Sequence, residues 1–360
     1  MLPNFSPHIH TDAHTLIRPE WVMAGPCSAE TEMQVLATAK ELAAIGIDYF
    51  RAGIWKPRTS PGSFEGVGVE GLAWLSKAQK LYGIKVATEV ATAKHVEEAL
   101  AHGIDLLWIG ARTTVNPFAV QEIAAALQGV KVPVMVKNPI NPDLKLWIGA
   151  MQRLNNVGIT DIIACHRGFH VYEKTRFRNA PLWEIPLELK RKFPEIPLIC
   201  DPSHICGNRT MLAEVAQKAM DFGYEGLIVE THPTPDTAWS DAAQQITPAV
   251  FAQLLAGLKV RKTFSDDIFL NSRLLQIREE IDTIDERLIE LLAARMQTVT
   301  KANLLKQEKG LSYFRPDRWS ELQAHCSEVA AKFGLNESFV VRLFDNIHLE
   351  CIGLEGKEEW

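Results

Sequence analysis

The stretch 49-YFRAGIWKPRTSPGSFEG-66 begins as a short apolar run and then packs Arg51, Lys56 and Arg58 among two prolines and three glycines. An apolar run that stops at turn-forming residues reads as a strand that has just ended. The cations then stand at its C-terminal edge, in a chain whose formal net charge is -6. A chain acidic overall that gathers cations at one strand end is expected to serve a local anionic ligand there.

The same pattern recurs along the first two thirds of the chain. Eight runs alternate with longer amphipathic stretches: WVMAGPCS (21–28), YFRAGIW (49–55), KVATEV (85–90), LLWIGAR (106–112), VPVMVKN (132–138), DIIACHRG (161–168), PLICDPSH (197–204) and GLIVETHP (226–233). The intervening 31-TEMQVLATAKELAAIG-46 and 209-RTMLAEVAQKAMDFG-223 read as helices that close on glycine. Eight βα units in succession, with no GxGxxG turn after the first strand, predict an α/β fold of the (β/α)8 TIM-barrel type rather than an open dinucleotide-binding sheet. In such a barrel, polar groups at strand C-termini form the active site. The strand ends supply Cys27, Arg51, Glu89, Arg112, Lys137, Arg167, His204 and Glu230.

After Phe264 the periodicity changes. In 271-NSRLLQIREEIDTIDERLIELLAARMQTVTKANLLKQEKG-310, Leu274, Ile277, Ile281, Ile284, Leu288 and Leu291 recur at three- and four-residue steps. This predicts one long helix ending at Gly310. Shorter helices are expected over Arg318–Lys332 and Glu337–Leu354. The SDD at 265–267 marks the boundary between a barrel over residues 1–264 and an all-α domain over 265–360.

Composition narrows the function classes. The acidic balance and a pI near 6.0 argue against a nucleic-acid or anionic-membrane surface. No apolar run reaches the ~18 residues of a membrane span, and MLPNFSPHIHTDAH lacks the pattern of a signal peptide, so the cytoplasm is expected. Six cysteines without CxxC spacing fit reduced thiols better than disulfides. Six cations (Arg51, Lys56, Arg58, Arg112, Lys137, Arg167) around one barrel mouth predict a multiply charged anion, held through phosphate or carboxylate. Cys27, His204, Glu230 and Asp241 offer a thiolate, an imidazole and two carboxylates, a mixed set that borderline metals accept. Spacing alone leaves metal binding open.

These residues carry a resemblance. GPCS (25–28), RAGIWKPRTSPGSFEG (51–66), ATEV (87–90), IGAR (109–112), KN (137–138), RGF (167–169), DPSHICGNR (201–209) and VETHPTPDTAWSD (229–241) resemble, in order, 3-deoxy-D-arabino-heptulosonate 7-phosphate (DAHP) synthase of the type I beta form. The resemblance implies one divalent metal ion (Mn, Fe, Co or Zn type) per barrel on Cys27, His204, Glu230 and Asp241. It implies phosphoenolpyruvate on Arg51, Lys56, Arg112, Lys137 and Arg167, with Glu89 near the attacking water. Erythrose 4-phosphate would meet Lys56, Pro57, Arg58 and Thr59. His166 departs from the residue that relatives often carry before Arg167.

In the helical domain, Arg278 and Arg295 are 17 residues apart, about 25 Å along a helix, and point in different directions. One small ligand cannot meet both from one chain. The segment is similar to the all-helical chorismate mutase family, which forms intertwined dimers, and this implies that the partner supplies Arg278. Arg295, Lys306 and Arg318 would line the local pocket, with Glu355 where a glutamine often faces the ether oxygen. Arg315 and Trp319 depart from the Asp and Glu frequent there. The expected function is thus a bifunctional enzyme of aromatic amino acid biosynthesis by the shikimate route, a homo-oligomer dimerised through the helical domain. One alternative makes that domain a chorismate- or prephenate-binding feedback module. Another gives the barrel arabinose 5-phosphate, as in 3-deoxy-octulosonate 8-phosphate synthases.

Overall fold

The computed structural model describes residues 18–56, 62, 64–261, 267–312 and 315–351. Pro57, Arg58, Thr59 and Glu355, named above, lie outside the described residues. The chain divides into two compact units, residues 1–263 and 264–360.

In the first unit, eight parallel strands close into a barrel in sequence order. They are β1 (Trp21–Gly25), β2 (Tyr49–Arg51), β3 (Lys85–Val90), β4 (Leu106–Ile109), β5 (Val134–Lys137), β6 (Ile162–His166), β7 (Leu198–Cys200) and β8 (Gly226–Glu230). β1 seals the ring by pairing with β8, with Gly25 opposite Glu230. Local chemistry sets the helix ends. The helix Glu32–Ile45 starts where the Thr31 side chain accepts from Gln34 N and stops at Gly46, whose φ of 81° favours glycine.

The period of two along each strand places the site. Ile162 and Ala164 face outward into the main core beneath the helices, while Ile163 and Cys165 face into the barrel. Met23, Tyr49, Ala87, Trp108, Met135, Ile199 and Ile228 share that inner cluster. Two residues further along each strand, the same parity reaches Gly25, Arg51, Glu89, Gly110, Lys137, Asp201 and Glu230. The apolar plug therefore ends in a ring of charge. Parity also settles His166, which points outward. Its Nε2 meets Pro181 O at 2.6 Å and its Nδ1 the Tyr224 hydroxyl at 3.1 Å, while Trp183 approaches edge-on at 5.1 Å. Burial pushes its pKa down to about 3, so it is neutral.

The second unit contains the helices Ile268–Glu308, Pro316–Lys332 and Glu337–Cys351. Asp267 caps the first by accepting from Phe269 N and Leu270 N. No residue of this long helix is buried. The unit's small buried core is Cys326, Ala330 and Val340. Among the described residues, no helix is long and apolar enough to cross a membrane.

Candidate active site

Two glycines make room for the charged ring. Gly25 has φ 152°, and a Cβ there would meet Arg51 O at 2.0 Å. A Cβ on Gly110 would stand 2.1 Å from Glu89 Oε1. At each position a side chain would displace backbone or a functional carboxylate.

Above the ring lies a cavity of about 460 Å³ whose lining includes Lys56, Glu89, Arg112, Lys137, Arg167 and Arg178, together with His204 and Asp241. Five of the six expected phosphoenolpyruvate residues thus share one cavity. Arg51 is not on its wall. It is 1% exposed, with Nη2 donating to Cys27 O at 3.1 Å, Nη1 3.2 Å from Glu230 Oε1 and the guanidinium 4.8 Å from the Trp108 ring centre. Lys56 reaches the same place from above. Its Nζ donates to Cys27 O at 2.8 Å and Cys27 Sγ at 2.9 Å.

Cys27, Glu230 and Asp241 present ligand atoms within 4.8 Å of one another. Cys27 Sγ is 3.3 Å from Asp241 Oδ2, and His204 Nε2 is 3.6 Å from Glu230 Oε1. Glu230 Oε1 is buried and, beyond its ion pair with Arg51, accepts no hydrogen bond among the described residues. His204 Nδ1 lies 2.8 Å from Asp201 Oδ2, an ion-pair distance without hydrogen-bond alignment, and Nε2 lies on the side of the cluster. A histidine placed this way beside a carboxylate is a usual metal-ligand arrangement. The set therefore fits a divalent metal.

The electrostatics agree. Burial pushes the Cys27 thiol up to about 12, with Glu230 adding, against Lys56; it stays protonated at neutral pH unless a cation takes the proton's place. Burial also raises Glu230 and Asp241, but His204 and neighbouring cations outweigh it and hold both carboxyls below their usual range. Asp201, fully buried, is likewise held well below, because His204 and the Lys137 ammonium at 2.7 Å overcome its burial.

Several contributors carry no strand-end signal. Arg178, in the loop after β6, donates from Nη1 to Asp241 Oδ1 at 3.0 Å and Gln244 Oε1 at 2.7 Å. Gln244 Nε2 donates in turn to Glu230 Oε2 at 2.7 Å. One arginine thus connects both carboxylates. Asp241 has φ 46°, one of two non-glycine residues with positive φ among those described. The buried pair His232–Glu30, with Nε2 3.3 Å from Oε2, pins the loop that carries it. Glu30 also accepts from Trp239 N at 2.7 Å.

In the helical unit, Arg295 and Lys306 lie on the half-buried side of the long helix. Arg295 Nη1 donates to Cys351 Sγ at 2.9 Å. Trp319 Nε1 donates to Asp345 Oδ1 at 2.8 Å, and its ring lies 4.6 Å from His348. Burial, Arg295 and Lys306 lower the His348 pKa against Asp345, so both cations act on the same region. Arg278 is exposed, Arg318 pairs with Glu321 at 3.0 Å on the surface, and Arg315 pairs with Asp317.

A closed βα barrel with a cation-lined cavity over a thiol–imidazole–carboxylate cluster has the architecture of an enzyme. The chain belongs to the DAHP synthetase I family, whose model matches residues 18–264. Residues 277–356 match chorismate mutase type II, so the enzyme joins a transferase-family barrel to an isomerase-family helical domain. It is similar to a phospho-2-dehydro-3-deoxyheptonate aldolase of Thermotoga maritima, 33% identical over 66% of this chain and 68% of that protein. The crystal structure of the Thermotoga DAHP synthase superposes with a TM-score of 0.60 at 30% identity, covering 67% of this chain and 71% of that one. A 2-dehydro-3-deoxyphosphooctonate aldolase of Dechloromonas aromatica is 31% identical over 63% of this chain and 85% of its own.

Proposed function

We propose that the barrel condenses phosphoenolpyruvate with erythrose 4-phosphate and water to DAHP and phosphate, and that the helical domain rearranges chorismate to prephenate. The observation that carries the first half is the cavity of about 460 Å³, where cations converge beside the Cys27–His204–Glu230–Asp241 cluster. Two phosphorylated reactants repel each other, and guanidinium and ammonium groups at fixed positions offset that repulsion. Lys56, Arg112, Lys137 and Arg167 hold phosphoenolpyruvate, while Arg51 acts from beneath by keeping Glu230 and the Cys27 carbonyl in place. Glu89, oriented by Trp108 Nε1 at 3.1 Å, takes the proton of the water that adds to the enol-phosphate carbon. Lys56 and the segment through Thr59 receive the sugar phosphate.

Cys27, His204, Glu230 and Asp241 hold a divalent metal of the Mn, Fe, Co or Zn type. Such an ion would supply Lewis acidity to the aldehyde oxygen. In the helical domain, Arg295 and Lys306 face the substrate from one chain, and Arg278 comes from a second copy. The exposed apolar face of the long helix supports that dimer. Chorismate rearrangement needs conformer selection and charge at the breaking ether oxygen rather than a general base, and Arg295 and Lys306 supply the charge, with Arg318 and Glu355 completing the pocket.

A second reading has an observation in its favour, because relatives named 2-dehydro-3-deoxyphosphooctonate aldolase match about as much of the chain. It gives the barrel arabinose 5-phosphate. Phosphate release from phosphoenolpyruvate separates the two readings. Release with erythrose 4-phosphate, abolished by chelator, with chorismate consumption by the same sample, is expected. Release with arabinose 5-phosphate alone would sink the DAHP reading.

A further inference from the structure

The rings of Trp55 and His95 lie parallel to within 1°, with their centroids 4.0 Å apart. Trp55 immediately precedes Lys56, and His95 stands in the first turn of the helix Ala93–Ala101 that follows β3. His95 Nδ1 accepts from Ala91 N at 3.3 Å, two residues beyond Glu89. A ring nitrogen that accepts from a backbone N–H carries no proton, so the imidazole is neutral with its hydrogen on Nε2. Burial lowers its pKa, opposed by Glu98 and Glu89 and helped by Lys94, so charge and hydrogen bonding select the same state.

One ring therefore ties together two chain segments that leave the barrel at neighbouring strand ends, one toward Lys56 and one from Glu89. Backbone bonds from Lys56 N to Glu65 O at 2.8 Å and from Gly68 N to Ile54 O at 2.9 Å close the loop around Trp55. Glycine at 66 is required for this, since a Cβ there would meet Ile54 O at 2.0 Å. A partly exposed histidine that merely faced solvent would not need this coplanarity.

The geometry points to His95 as a positioning residue: by bracing Trp55 it sets the place of Lys56 at the cavity, and so governs affinity for the phosphorylated substrates. This rests on the condensation proposed above. Lys56 Nζ is anchored on Cys27 at its far end, and the stack holds the backbone from which it reaches there.

The test compares three variants of the full chain. His95→Ala is expected to raise the KM for both phosphorylated substrates about fivefold to tenfold, the scale of one aromatic pair, and to move kcat less than about twofold. His95→Phe keeps a ring and restores both KM values. His95→Asn keeps an acceptor for Ala91 N without a ring and behaves as His95→Ala. Unchanged KM values with a fall only in kcat or Tm, or rescue by Asn but not Phe, overturn the proposal. Should the wild-type protein turn over neither aldose, the proposed function fails on its own, and the bracing is read without activity. In protein labelled with 5-fluorotryptophan, the Trp55 resonance, assigned by its loss in Trp55→Phe, moves in His95→Ala and returns in His95→Phe. A resonance that stays in place in His95→Ala overturns the inference.

Discussion

The barrel and the helical unit place their cations in opposite ways. The barrel completes its cavity within one chain: side chains from many strand ends converge, and most of them are buried against partners that fix their charge. The helical unit spreads its cations along a helix without one buried residue. Its apolar stripe, Leu274, Ile277, Ile281, Ile284, Leu288 and Leu291, is between 39% and 67% exposed. A contiguous apolar stripe left in water marks an interaction surface. A closed ring of strands brings distant residues together by topology, whereas a lone helix needs another surface to do so.

The sharpest way to test this separation is to damage one unit and read both activities. Replacing Cys27 with alanine removes the thiol from the cluster it forms with His204, Glu230 and Asp241. Loss of the metal's Lewis acidity is worth several kcal/mol, so condensation is expected to fall by about a thousandfold or more. Bound metal per chain falls with it, while chorismate consumption stays within twofold. Equal loss of both activities would show that the units do not work independently. The reverse experiment is Ile284→Asp, which places a charge in the middle of the exposed stripe. Burying that carboxylate against a second copy costs close to 3 kcal/mol, or about a hundredfold in mutase rate. The chain is then expected to elute as a monomer with its condensation rate intact. A variant that remains a dimer with full mutase activity would leave the stripe without its proposed partner.

The sequence made the barrel legible because two periods are superposed in it. The βα alternation counts the strands, and the residues two steps past the last inward-facing apolar position in each strand point at the cavity. That logic reaches Glu89, Lys137, Arg167 and Glu230 directly. It also reaches Arg51, but not that Arg51 would lie beneath the cavity against Glu230, because parity gives a direction and not a depth. The long helix was legible from its three- and four-residue steps, predicted over 271–310 and found at Ile268–Glu308. Asp201 was read only as part of DPSH; its pairing with Lys137, 64 residues away, is a product of closure around β5 and β7. Arg178 was not legible at all. It lies 11 residues past Arg167 in an irregular loop, where no period applies.

Arg178 therefore gives the finest test of how self-contained the barrel's site is. Its guanidinium holds Asp241 Oδ1, leaving Oδ2 toward Cys27 Sγ, and through Gln244 it steadies Glu230 Oε2. Asp241 occupies the left-handed region without being glycine, a conformation that costs about 1–3 kcal/mol and persists only where neighbours enforce it. Arg178→Gln keeps a donor but removes the fork and the charge. Because the side chain is 46% exposed, its pairing adds little to folding stability, less than about 1 kcal/mol, so Tm should hardly move. Metal affinity should weaken about tenfold to a hundredfold, the usual effect of removing a residue that orients ligands. Competition between the protein and a chelator for Mn²⁺ measures this without any substrate. If the affinity is unchanged while the KM for the sugar phosphate rises, Arg178 serves the substrate directly, and the carboxylates hold their places through Gln244 and the backbone alone.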